Sequence, residues 1–346
     1  LLVRGSFLSK GVEVQPGVPA AFHPLPPDRP KNRLGLAYWL VDKKNPLTAR
    51  VTVNRFWEKI VGQGLVETSE DFGTQGQPPS HPKLLDRMAI EFMERGWSMK
   101  DLIREIVTSS TYRQSSHIDA EQLAQDTNNR LLSRGPRFRM EAEMVRDVAL
   151  TSSGLLSDKM YGRSVMPPQP PGVWQVVYSS DKWDTSLGED RYRRGLYTFW
   201  RRTSPYPAMM AFDATSRELC TVRRIRTNTP LAALVTLNDP AFVEAAQSLA
   251  QLTHQNGGDG LTSRINYIFR RCLARPPRAE EIESITALYH DALDHFRKQS
   301  EAAQRLAGYD REAVNAGQDT TDAESLAAWT VIGNMLLNLD ETLTKG

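Results

Sequence analysis

Ser80-His81-Pro82-Lys83-Leu84-Leu85-Asp86-Arg87-Met88-Ala89-Ile90-Glu91-Phe92-Met93-Glu94-Arg95-Gly96 reads as one complete helix. Ser80 supplies an N-cap, and Pro82 fits the first turn because an N–H there has no intrahelical partner to lose. Gly96 stands where a left-handed residue stops the chain. Leu84, Leu85, Met88, Ala89 and Phe92 recur at the helical period, so one face must be buried on a neighbouring helix.

The flanking sequence continues the pattern. From Asn32 the chain turns helical with Leu36, Trp39 and Leu40 on one face, and Pro46 ends that unit. Thr48 can cap a helix carrying Val53, Phe56, Trp57 and Ile60, stopped by Gly62-Gln63-Gly64. Ser98 and Asp101 form a capping-box variant that opens a helix with Leu102, Ile103, Ile106 and Val107 inward. Trp39, Trp57, Trp97 and Trp329 fall at helix-packing positions. Residues 115–130 are polar and loop-like. Further helices are expected at 138–153, stopped by Gly154, after Thr229-Pro230 and Asp239-Pro240, and near 261–273, 278–306 and 322–338, with 307–321 a loop. The expected fold is mainly α, with helical subdomains around an irregular Pro- and Arg-rich insert that holds a few short β-strands. The blocks are an extended lead-in over 1–30, a helical subdomain over 31–115, central helices with the insert over 116–255, and a helical subdomain over 256–346.

The 346 residues include 43 Lys+Arg and 41 Asp+Glu, a net charge of +2, so bulk charge points to no class of partner. Mean hydropathy is −0.46. No apolar run approaches the length needed to cross a membrane. Cys220 and Cys272 have neither metal-ligand spacing nor a C-x-x-C-H haem attachment; a single disulfide and two thiols both remain open. Leu1 in place of Met suggests a piece of a longer precursor.

Local charge is more informative. The insert, about 155–228, opens on Pro167-Pro168-Gln169-Pro170-Pro171-Gly172, which forbids regular helix. Over 191–226 it holds Arg191, Arg193, Arg194, Arg201, Arg202, Arg217, Arg223, Arg224 and Arg226, opposed only by Asp213 and Glu218, a local charge of about +7. Arginine grips sulfate, carboxylate or phosphate bidentately, and aromatic faces stack on sugar rings. Arg193, Arg194, Arg201, Arg202, Arg223 and Arg224, with Tyr192, Trp174, Trp183 and Trp200, are therefore candidate ligands of an anionic polymer. The same arginines suit ion pairs with acidic helices of the fold.

Catalytic candidates are sparser. On the helix expected over 138–153, Arg139, Glu143, Arg146 and Asp147 fall in one stripe beside a core stripe of Met140, Met144 and Val148. Glu143 and Asp147 can share a proton or hold a divalent metal, or can simply pair with Arg139 and Arg146 at helical spacing. Asp71 and His81, joined by a Gly/Pro-rich loop, are a second carboxylate–His pair, with helix capping as the plainer role of the histidine. No metal site is assigned. No H-E-x-x-H, G-x-S-x-G or Walker loop is present.

Several ordered phrases resemble a known family. They are Asn45-Pro46-Leu47-Thr48-Ala49-Arg50-Val51, Val53-Asn54-Arg55-Phe56-Trp57, Asp71-Phe72-Gly73, Gly96-Trp97-Ser98, Ser110-Thr111-Tyr112-Arg113-Gln114, Arg193-Arg194-Gly195-Leu196-Tyr197, Thr227-Asn228-Thr229-Pro230-Leu231 and Leu337-Asn338-Leu339-Asp340-Glu341. Together they resemble the C-terminal domain of unknown function, number 1553, of planctomycete-type secreted cytochrome c domain proteins, over nearly the whole chain. Ala232, where that family usually has Gln, is one departure. The resemblance implies a secreted or periplasmic multidomain protein whose haem c sits on an upstream domain, with no cofactor in this fragment. It also hints at polysaccharide, because some members carry carbohydrate-binding modules. It supplies no catalytic residue.

Two functions follow as expectations. The first is a binding and scaffolding module that presents an Arg/aromatic surface to an anionic polysaccharide or to a partner protein, including other domains of its precursor. The second is a catalytic domain acting on glycans, or in redox contact with a haem domain, through Asp71, His81, Glu143 and Asp147. The secreted setting weighs against nucleic acid as a partner.

Overall fold

The computed structural model describes residues 1–173, 182–308 and 323–346. The chain is mainly α, about 50% helical, with a single two-stranded sheet among the described residues. It divides into two compact units, Leu1–Arg137 and Phe138–Gly346. The boundary falls within the block read from sequence as 116–255.

In the first unit the lead-in is largely exposed and is held chiefly by one buried aromatic residue. Helix α1 (Arg33–Leu40) is capped by the Asn32 carboxamide, which accepts from the Leu34 and Gly35 amides. Its Trp39 is buried, donates to the His23 carbonyl at 2.8 Å and stacks on the His23 ring at 5.0 Å. Leu36 and Leu40, expected on the same face, are exposed instead, while Gly35, Tyr38 and Trp39 meet the lead-in, Tyr38 beneath the Arg29 guanidinium at 4.1 Å. Gly35 is obligatory, since a Cβ there would stand 1.9 Å from the Pro30 carbonyl oxygen.

Three helices make the core of this unit: α2 (Thr48–Val61), α3 (Pro82–Glu94) and α4 (Met99–Thr108). Val53, Trp57, Leu85, Met88, Phe92 and Ile106 bury their stripes on one another. Asn45, not Thr48, caps α2, accepting from the Leu47 and Thr48 amides. Ser80 leaves the capping position of α3 to His81 and hydrogen-bonds the Leu65 carbonyl and the His81 ring. Ser98 caps α4 as its sequence promises, while Ile103 faces outward. A short helix α5 (Ala120–Gln125) interrupts the polar 115–130 stretch.

Buried among these helices is a polar knot. Asn54 donates to the Val66 carbonyl at 3.0 Å and to Ser69 Oγ at 2.9 Å, and accepts from the Val66 amide at 2.8 Å. Ser69 in turn donates to Glu58. Buried polar groups are tolerated only when satisfied in this way.

The second unit comprises β1 (Phe138–Arg139), α6 (Ala142–Ser152), α7 (Pro207–Ala211), α8 (Pro230–Asn238), α9 (Pro240–Asn256), α10 (Leu261–Leu273), α11 (Ala279–Arg297), α12 (Ser300–Leu306), α13 (Ala323–Leu337), α14 (Asp340–Leu343) and β2 (Thr344–Lys345). Helix α13 is the axis: Trp329, Ile332 and Leu336 are fully buried against Ala245, Ala246 and Leu249 of α9. Thr229 and Asp239 cap α8 and α9 ahead of their prolines, as read from sequence.

Two helix boundaries differ from expectation. The helix expected over 138–153 starts only at Ala142, because Phe138 and Arg139 pair antiparallel with Lys345 and Thr344 and close the unit on itself. The helix expected over 278–306 breaks at Lys298–Gln299, where the turn lets Phe296 and Ala303 bury together against Ala327.

Replacing Asn54 by Ala strands the Val66 amide, leaves the Val66 carbonyl only its longer contact with Ser69, and should lower stability by about 2–3 kcal/mol. Urea unfolding of the variant checks this; an unchanged midpoint would mean that water replaces the carboxamide.

Candidate functional site

Among its described residues the insert lacks the regular ladders that satisfy backbone groups, so side chains must do part of that work. Arg193 does most. It is 1% exposed, donates to the carbonyls of Lys159, Tyr161 and Arg163, and lies 3.6 Å above the Tyr197 ring. Tyr197 Oη accepts from the Tyr161 amide at 2.7 Å. Arg146, buried on α6, donates to the Arg191 carbonyl at 2.9 Å. Short backbone links complete the frame: the Ser157 amide donates to Tyr192, Val165 to Tyr197, and Phe199 to Val165.

Carboxylates of the surrounding helices take the next set of arginines. Both oxygens of Glu244 on α9 lie 3.0 Å from Arg191 Nε, and one accepts from Tyr192 Oη at 2.8 Å. Arg224 grips Glu143 through two nitrogens, at 2.6 and 3.1 Å, and stands 3.4 Å from Glu141. Asp213, in the left-handed region at φ 58°, accepts from Arg139 and from the amide and hydroxyl of Thr227. It thereby clasps the two ends of the loop between them. Gly195 runs hard against α6: a Cβ would stand 2.7 Å from Glu143 Cα, and its amide donates to Asp147 Oδ1 at 2.6 Å.

The expected stripe of Arg139, Glu143, Arg146 and Asp147 is therefore not a helical ion-pair ladder. Arg139 sits on β1, Arg146 points into the insert, and the two carboxylates bind partners far away in sequence. Of the expected core stripe, Met140 is buried and Val148 packs on the core, but Met144 is exposed; Val145 and Ala149 take the buried face.

The electrostatics follow from burial and pairing. Burial works to raise Glu143, yet the Arg224 hydrogen bonds, its own amide and the fields of Arg224 and Arg217 hold it below the ordinary carboxylate value. Asp147 is raised, chiefly by burial, against the Gly195 amide and the charges of Arg194 and Arg146. Asp239, buried at the start of α9, is pushed up to about 6 by burial, which outweighs the Ala241 amide and Arg146. The Tyr206 hydroxyl, raised by burial and by Asp239, donates to the Pro168 carbonyl. Arg146 and Tyr206 line a small crevice with Met209, Phe212 and Phe242.

The remaining candidates divide by exposure. Arg194, Arg202 and Arg223 are exposed, and half-buried Arg201 donates to Thr203 Oγ1 at 3.2 Å. Trp183 stacks on Tyr206 at 5.7 Å and donates to the Pro167 carbonyl. Trp200 is half-buried, donates to the Ser216 carbonyl and carries Arg217 over its ring at 5.0 Å. Trp174 lies outside the described residues.

Asp71 and His81 belong to the first unit, where Asp71 accepts from the Gly73 amide and His81 meets Ser80. Glu143 and Asp147 belong to the second. No group of three His, Cys, Asp or Glu among the described residues is arranged to hold a metal ion. Both cysteines are free, and burial pushes the Cys272 thiol up to about 12. The partnerships of Glu244 with Arg191 and of Asp213 with Arg139 and Thr227, and the burial of Asp239, escape a sequence reading. Only Asp239, placed before Pro240, carries a local signal, and that signal is a cap.

A family model described as PSD1, protein of unknown function (DUF1553), matches residues 32–289. No curated protein and no solved structure matches the chain.

The raised Asp239 gives a signed pH dependence. Its carboxyl is ionised in both folded and unfolded chains well above pH 6, where the buried charge destabilises the fold; below the ordinary value of 3.8 it is neutral in both. Its unfavourable contribution therefore fades as pH falls from about 6 to about 4. Asp239→Asn keeps an acceptor for the Ala241 amide and removes the charge. The variant should be the more stable by on the order of 2 kcal/mol near pH 8, with the difference vanishing toward pH 4. Urea unfolding across that range checks it; a variant less stable near pH 8 would show that Arg146 depends on the charge.

Proposed function

The chain belongs to the PSD1 family of proteins of unknown function (DUF1553), and we propose that it is a binding and scaffolding module. In this reading it serves a secreted or periplasmic multidomain protein whose upstream cytochrome c-type domain carries the haem. It presents a cationic surface to an anionic polysaccharide or to a partner protein. The supporting observation is what the internal pairing leaves over. Arg191, Arg193 and Arg224 are consumed inside the second unit, while Arg194 and Arg202 remain exposed on the same insert. Exposed guanidinium groups on a well-braced loop suit recognition of carboxylate or sulfate without chemistry.

Catalysis is the weaker reading. Glu143 is gripped by Arg224 and held below its ordinary pKa, the opposite of what a general acid needs. Asp147 already accepts from the Gly195 amide.

Binding of the protein to dextran sulfate, to polyglutamate and to neutral dextran, each at low and high salt, tests the proposal. Binding to the anionic probes alone, falling as salt rises, is expected. The double variant Arg194→Ala/Arg202→Ala should weaken it about tenfold, since rim charges contribute up to about 1 kcal/mol each. Failure of every anion to bind would refute the reading.

A further inference from the structure

Tyr161 lies in the left-handed region at φ 65°, and Gly162 follows it at φ 88°. A bulky side chain is an outlier there, because its Cβ crowds the following carbonyl oxygen. Asn or Gly is the ordinary choice where two successive residues take positive φ. Two other bulky residues of this chain that adopt the region gain packing: Trp97, at φ 62°, and Leu132, at φ 57°, lie against the core of the first unit. Tyr161 gains almost none, since it is 81% exposed.

Its surroundings nevertheless hold the conformation in place. The carbonyls of Lys159, Tyr161 and Arg163 converge on the one buried guanidinium of Arg193, and the Tyr161 amide donates to Tyr197 Oη at 2.7 Å. Tyr197 Oη also contacts Met160 Sδ at 3.9 Å, which joins Met160, 50% exposed, to the same small surface. Both backbone groups of Tyr161 are thus fixed while its ring stands in solvent. Other described rings of the insert are engaged by the fold: Tyr197 lies under Arg193, Trp183 on Tyr206, Tyr192 is held by Glu244, and Trp200 is covered on one face by Arg217. A strained backbone braced to present a side chain that the fold does not use points to a ligand.

The ligand follows from the size and setting of the ring. The apolar surface joined by these contacts is Tyr161 and Met160 alone, the scale of one sugar ring and far below the roughly 800 Å² per partner of a stable protein interface. Charge at its foot is mixed, because Lys159 pairs with Glu189 at 3.1 Å and with Asp190 at 2.9 Å. The loop therefore offers a flat apolar face and not one more anion contact. Resting on the binding role proposed above, we infer that Tyr161 is the platform on which a sugar ring of the polysaccharide stacks, which makes a saccharide the partner in preference to a protein. The C–H face of the sugar covers the phenol ring, and the fixed backbone leaves little ordering to be lost on binding.

The full chain and its variants Tyr161→Asn and Tyr161→Phe, titrated with labelled dextran sulfate and labelled polyglutamate, test this. Asn suits the left-handed backbone, so urea unfolding of Tyr161→Asn should give a midpoint equal to or above that of the wild type. The same variant should bind dextran sulfate about tenfold more weakly, the effect of leaving one ring face of apolar area uncovered, with its affinity for polyglutamate unchanged. Tyr161→Phe keeps the face and should keep the affinity; a loss there would move the contact to the hydroxyl and overturn the stacking. Three further results overturn the inference while leaving the binding role standing. They are dextran sulfate held as tightly by Tyr161→Asn as by the wild type, an equal loss for both polymers, which would give the ring to a polypeptide, and a lowered urea midpoint, which would make the ring part of the fold. Absence of binding of either polymer by the wild-type chain would overturn the binding role itself.

Discussion

A guanidinium at 1% exposure is the constraint on which the second unit depends. Arg193 carries its charge into the interior, so its burial must be matched by acceptors, and it finds them in the carbonyls of Lys159, Tyr161 and Arg163 and in the face of Tyr197. The exchange is reciprocal. A stretch with little regular hydrogen bonding gains a five-donor bracket, and the charge gains a shell of oxygens. Desolvating such a charge costs several kcal/mol, which the bracket offsets only if all its members stay in place.

The rest of the insert is arranged around that bracket. Arg146 holds the Arg191 carbonyl from the α6 side, Glu244 holds Arg191 and Tyr192 from α9, and Gly195 lets the chain press against Glu143. The local excess of arginine is thus mostly spent internally, and the surface keeps a smaller, more selective remainder. That is the physical reason to look for function in exposed Arg194 and Arg202, and not in the density of arginine as such.

How far the sequence alone reaches depends on the range of the interaction. Local chemistry is legible: Pro82, Pro230 and Pro240 mark helix starts, Ser98, Thr229 and Asp239 cap, and Gly62 takes the left-handed turn. Long-range chemistry is not. Nothing around residue 138 announces a strand, because its partner, Thr344–Lys345, is at the other end of the unit. The pairing of Glu143 with Arg224 rather than with Arg139 or Arg146 likewise depends on a loop returning from 81 residues away. Arginine in the sequence declares a need for oxygen partners but does not say whether they are carbonyls of the fold or anions of a ligand. The division between Arg193 and Arg194, adjacent residues with opposite fates, is visible only in three dimensions.

Hydrogen exchange of the Arg193→Lys variant tests this account most directly. Lysine keeps the charge but cannot reach three carbonyls from one planar fork. The Ser157, Tyr161, Val165 and Phe199 amides, which report the insert frame, should lose protection, while those at the centre of α9 and α13 keep theirs. Unchanged protection of the insert amides would contradict the account, placing the stability of the frame in its backbone links and leaving Arg193 a passenger.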